Sequence, residues 1–114
     1  MAALTPPERF KHRADFLRLA ARGKKIVKSG FVMQALRDGA APDLRLGFTA
    51  TKKLGNAVAR NRAKRRLREA ARLNLAGREL PGVELVFIAR RETARMPFVA
   101  LQRNLAKAVD EALA

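Results

Sequence analysis

Residues 44–72 read LRLGFTATKKLGNAVARNRAKRRLREAAR, and two periodicities meet inside this stretch. From residue 44 to 51 the side chains alternate. Leu44, Leu46, Phe48 and Ala50 point one way, and Arg45, Gly47, Thr49 and Thr51 the other. A period of two with one apolar face predicts a strand that is buried on one side and solvated or ligand-facing on the other. KKLGN follows as a short loop or strand fragment. From Asn56 the period becomes helical, advancing about 100° per residue. Ala59, Ala63, Leu67, Ala70 and Asn74 then share one side, which packs on the sheet, and small alanines let the helix backbone lie close to it. Asn61, Arg65, Arg68 and Arg72 fall opposite, Arg62 and Lys64 flank that row, and Arg60 and Arg66 lie nearer the buried boundary.

The charge of this helix needs a reason. Residues 52–72 hold nine lysines and arginines against one carboxylate, Glu69, so more than half of the chain's net charge of +15 sits there. A solvated helix face is the ordinary meaning of a charge run. Such faces mix signs, because opposite charges at i, i+4 stabilise a helix and like charges weaken it. A polyanionic partner is therefore implied. A membrane-surface helix would need large apolar groups opposite the charge, and alanine stands there instead. Arginine outnumbers lysine, which suits forked contact with phosphate. Nucleic acid is the predicted partner, with no membrane.

The rest of the chain is consistent with one domain of 114 residues. Cysteine is absent, which favours a reducing compartment. The first residues contain no apolar signal segment, and no run is long enough to span a bilayer, so a cytoplasmic location is expected. Catalytic side chains are scarce. His12 is the one histidine and lies among bases, where a solvated role is expected, and Ser29 precedes Gly30 as a turn or strand-edge residue. No carboxylate grouping suggests a metal site, so any chemistry is expected to reside elsewhere.

Outward from residues 44–72, a helix is predicted over Arg13–Arg22, with Gly23 as terminator and Phe10 at its entry. One strand is predicted over residues 25–38, where Phe31, Met33 and Ala35 alternate with Val32, Gln34 and Leu36. Residues 38–43, DGAAPD, suit a wide hairpin loop. The basic helix should close at Gly77. VELVFIAR is apolar on both faces and should be a central strand. Pro97 should open a last helix with a stripe of Phe98, Leu101, Leu105, Ala108, Val109 and Ala112. The order is α-β-β-(short β)-α-β-α, an α+β domain with helices packed on a small mixed sheet.

The stretch KKLGNAVARNRAKRRLREAAR resembles the signature of the bacterial ribonuclease P protein subunit. Lys52, Lys53, Gly55, Asn56, Ala57, Val58, Arg60, Asn61, Arg62, Lys64, Arg65 and Arg68 all fit it, neutral residues as well as charges. RADFLRLAARGK, GFVMQAL, LRLGFTATKK and VELVFIAR are similar to flanking elements of that family, so the resemblance covers about residues 10–108. It implies an α/β sandwich like the second domain of ribosomal protein S5, with a left-handed crossover around the basic helix. It implies a subunit of the ribonucleoprotein that removes the 5′ leader from precursor tRNA, with catalysis by the RNA subunit and Mg²⁺ and no cofactor on the protein.

Two surfaces follow from the resemblance. Lys53, Arg60, Asn61, Arg62, Lys64, Arg65, Arg68 and Arg72 are assigned to the catalytic RNA. Phe16, Phe31, Val32, Gln34, Thr49, Thr51 and Lys52 are assigned to a cleft for the single-stranded leader. Single strands are commonly held by stacking on aromatics above a basic groove. Ala20 stands where relatives often carry a second aromatic, and Gln34 where some carry tyrosine. Phe16 has two readings, a stacking platform and a core residue. Thr49, Thr51 and Lys52 could supply polar contacts. The rival functions are a ribosomal or other structured-RNA-binding protein, a DNA-binding helix-turn-helix protein, which two strands before the basic helix disfavour, and a stand-alone nuclease, which the empty catalytic inventory disfavours.

Overall fold

Residues 83–89 pair on both sides, and the sheet is built around them. The computed structural model describes residues 8–10, 12–37 and 43–114. Its elements are β1 (Glu8–Arg9), α1 (Arg13–Arg22), β2 (Lys24–Lys28), β3 (Phe31–Arg37) and β4 (Arg45–Ala50). A 3₁₀ turn (Lys52–Leu54) leads to α2 (Ala57–Leu75), β5 (Val83–Ala89), α3 (Arg91–Arg95) and α4 (Phe98–Leu113). The sheet order is β1-β4-β5-β3-β2. β4 and β5 run parallel, joined through α2, whereas β3 is antiparallel to both β5 and β2. The α+β class with a mixed sheet is as the sequence predicts.

Parity along the strands sorts the two faces. Phe31, Met33 and Ala35 of β3 and Val83, Leu85, Phe87 and Ala89 of β5 enter the main core. They meet Ala63, Leu67, Ala70, Ala71 and Leu75 of α2 and the apolar stripe of α4. Ala63, Ala70 and Ala71 are fully buried, so α2 lies close on the sheet as its alanines predict. The Phe87 ring sits among aromatics, stacked on Phe48 at 5.6 Å and edge-on to Phe31 at 5.9 Å, arrangements that add to the area term. The opposite face carries a smaller cluster, in which Leu19 and Phe16 of α1 meet Phe10, Val86, Leu36 and Ile88.

Three local expectations need correction. The single strand over residues 25–38 is a hairpin, β2 and β3, paired Lys28 to Phe31 across Ser29–Gly30. Gly30 makes that turn possible: its φ is +99°, and a Cβ there would lie 2.3 Å from Met96 Sδ. Of the two readings of KKLGN the loop holds and the short strand does not: it is a 3₁₀ turn, ending at Gly55 with φ +142°. The chain is thereby turned so that the Asn56 side chain caps α2, accepting from the Ala59 N–H at 2.9 Å. α3 was not foreseen. The Thr93 hydroxyl holds it, accepting from the Arg90 N–H at 2.8 Å and donating to the Gly30 carbonyl. The predicted hairpin loop 38–43 lies outside the described residues except for Asp43. α2 ends at Leu75, two residues before Gly77, whose φ is +80°.

Candidate nucleic-acid interface

α2 presents its cations on the side away from the core. Asn61, Arg62, Arg65, Arg68 and Arg72 are exposed, and Arg60 and Lys64 are half-buried. The predicted row is therefore brought together on one helix face. Arg72 is partly engaged, donating to Glu69 one turn back at 2.5 and 3.1 Å. That pairing holds the Glu69 carboxyl below, and the Arg72 guanidinium above, their ordinary ranges. Arg60, Arg62, Arg65 and Arg68 make no ion pair among the described residues. Partial burial, then Arg9 and Arg65 nearby, push the Arg68 guanidinium below its usual value. Those neighbours destabilise its charge, and an anion would relieve them.

Arg66 belongs to the fold. It donates to the Ala94 carbonyl at 2.8 Å and the Met96 carbonyl at 2.7 Å, with its guanidinium 5.8 Å from the Phe98 ring centre. It thus ties α2 to the end of α3 and the start of α4.

The cleft lies on the other face of the sheet, under α1. One recess of about 530 Å³ is lined by Phe16, Leu17, Gln34, Thr49, Val86 and Ile88 among others. It shares Ala20, Gln34 and Ile88 with a second recess of about 820 Å³ that Val32 and Thr51 also line. Phe16, Val32, Gln34, Thr49 and Thr51 thus converge. Phe16 is half-buried: its ring meets Phe10 edge-on at 5.4 Å and also borders the cleft. Its packing in the small cluster is that of a partly buried core residue, and its place on the cleft leaves one side open to a ligand.

Two assignments do not converge there. Phe31 is fully buried on the opposite face, against Phe87. The alternation of β3 sends Val32 and Gln34 to the cleft and Phe31 away from it, so the sequence assignment spanned both faces. Lys52 is exposed on the 3₁₀ turn and does not line either recess. Lys53, assigned to the catalytic RNA, borders the larger recess.

Three bases of the larger recess were missed. Lys25, Arg90 and Arg91 line the larger recess with Lys53, against one carboxylate, Glu92. Each was visible as part of a basic pair, Lys24–Lys25 or Arg90–Arg91. Their convergence was hidden, because β2 and the end of β5 meet only across β3. A third, smaller recess places Arg9, Lys64 and Arg68 beside Phe16 and Phe48, so α2's cations reach one margin of the cleft. Bases at both ends with an apolar floor between them suit a single strand whose phosphates and bases are held separately.

Comparisons with known proteins bear on the family and the fold. The ribonuclease P family model matches residues 4–113. A ribonuclease P protein component from Gluconacetobacter diazotrophicus is 50% identical over 105 residues, covering 91% of this chain and 90% of that protein. One from Paramagnetospirillum magneticum is 43% identical over 106 residues, covering 90% and 80%. Among solved structures, the Thermotoga maritima RNase P protein aligns with a TM-score of 0.76 at 31% identity, covering 91% of this chain and 96% of that one. The Staphylococcus aureus RNase P protein aligns at 0.73 and 30% identity, covering 91% and 94%.

Proposed function

The chain belongs to the ribonuclease P protein family, and from that premise we propose how its two surfaces divide the work. It is the protein component of the endoribonuclease that matures tRNA 5′ ends, and its partner is the ribonuclease P RNA. The exposed face of α2 docks on that RNA, with Arg60, Arg62, Arg65 and Arg68 meeting phosphates. The cleft under α1 receives the 5′ leader of precursor tRNA. Phe16 offers a ring edge or face to a base, Gln34, Thr49 and Thr51 offer hydrogen bonds, and Lys25, Lys53, Arg90 and Arg91 attract the backbone. The observation that carries this reading is the exposed arginine row on one helix, close to a cleft with cationic ends.

Leader binding acts by orientation. Holding the strand on a rigid sheet converts part of substrate capture into an intramolecular event. The protein supplies no acid, base or nucleophile in this reading. Mg²⁺ serves the RNA's chemistry, and among the described residues no three His, Cys, Asp or Glu side chains cluster to hold a metal ion. No helix among the described residues is long and apolar enough to cross a membrane, and the proposed place of work is the cytoplasm. The test is leader cleavage of precursor tRNA with the chain, the cognate RNA subunit, and both. Activity of the chain alone, or no effect of the chain on the RNA's cleavage at low Mg²⁺, would refute the assignment.

A further inference from the structure

β5 is apolar along its length except at Glu84, whose side chain is 2% exposed. A lone carboxylate buried to that extent is costly unless paired. Its partners come from two other elements. Arg18 of α1 forks onto both Glu84 oxygens, at 2.8 Å to Oε2 and more closely to Oε1. Arg45 of β4, its register partner, donates to Oε2 at 3.1 Å. The same two arginines also hold Asp15 of α1, Arg18 at 2.9 Å and Arg45 at 3.0 Å. Two cations and two carboxylates close a neutral ring.

We propose that Asp15, Arg18, Arg45 and Glu84 are positioning residues that set the height and rotation of α1 above the sheet, and so the width of the leader cleft. The inference rests on the cleft reading above. α1 is otherwise held by the small cluster of Leu19 and Phe16 with Phe10, Val86, Leu36 and Ile88, and the hydrophobic attraction within it is non-directional. Forked arginine–carboxylate bonds are directional and resist sliding. Asp15 lies one residue before Phe16, which makes the cleft wall. The ring also means that two arginines of this basic chain are committed to the fold and unavailable to RNA.

Asp15→Asn tests this with opposing signs. The substitution raises the net charge by one, so simple electrostatic attraction predicts tighter RNA binding. The ring predicts weaker leader binding. In the holoenzyme assembled from the full chain and its RNA subunit, KM for a precursor with a long leader should rise about tenfold. KM for a precursor with a one-nucleotide leader, and affinity for the RNA subunit, should not rise. Arg45→Lys keeps the charge but not the fork and should show the same selective loss, which a mere phosphate contact would not. Val109→Ala, a core truncation in α4, is the control for lost stability. An unchanged long-leader KM, an equal rise for both precursors, or the same selectivity in Val109→Ala would overturn the proposal. If the unaltered holoenzyme does not distinguish the two leaders, the cleft reading itself fails and the ring has no leader site to position.

Discussion

Phe16 packs in the small cluster and also borders the cleft, so one substitution there can test both its fold role and its proposed binding role. Its ring rests edge-on against Phe10, and both rings cross β4 where Gly47 offers no side chain: a Cβ there would lie 2.8 Å from Phe10 Cδ2 and from Phe16 Cε1. Gly47→Ala should therefore push both rings and destabilise the chain by about 1–3 kcal/mol, read as a lowered melting temperature. Phe16→Ala removes one half-buried ring from a small cluster, so it should cost less than the 3–5 kcal/mol or so of a full core truncation. Its larger effect should fall on leader-bearing precursor, weakened by about 1–3 kcal/mol through lost stacking. Equal losses for precursor and mature tRNA would sink the stacking role.

At the level of the element, α2 separates two kinds of arginine. Arg65 and Arg68 are exposed, so replacing both with alanine should leave the melting temperature nearly unchanged. It should weaken binding to the RNA subunit and reduce the log-log salt slope by about two units. Arg66→Ala should do the reverse, destabilising the chain by about 1–3 kcal/mol as the Ala94 and Met96 carbonyls lose their donor. α1 carries the pH-sensitive contact. Arg18, with help from Arg45, holds the Asp15 carboxyl below its ordinary 3.8 despite partial burial. A carboxyl with a depressed folded pKa stabilises above its unfolded value and loses that contribution as pH falls through the folded one. The melting-temperature gap between the parent chain and Asp15→Asn should thus be full at neutral pH and should narrow below about pH 3.8. A gap that persists unchanged in acid would refute it.

For the whole molecule, a net charge of +15 opposes compaction while drawing in polyanions. Added salt screens both effects. Raising ionic strength should raise the melting temperature of the free chain and weaken its hold on the RNA subunit. Thermal unfolding and RNA binding measured over one salt series would check the opposite signs. A free chain that salt destabilises would show that internal ion pairs outweigh the repulsion.

The helices over Arg13–Arg22 and from Asn56, the buried strand at Val83–Ala89 and the side of α2 that faces outward were legible in the sequence. Each depends on a local period, and a local period is written in consecutive residues. The hairpin at Ser29–Gly30 was half-legible, since the glycine was visible but its positive φ was not. What the tertiary structure alone decided is where separate strands bring their side chains. Phe31 left the cleft because its parity faces the core. Lys25, Lys53, Arg90 and Arg91 share one recess because β4, β5, β3 and β2 lie side by side in that order. Glu84 reads as a blemish in an apolar strand until α1 and β4 deliver their arginines to it. Charge composition forecast an anionic partner, but which arginines are free to meet it depends on which ones the fold has already bound.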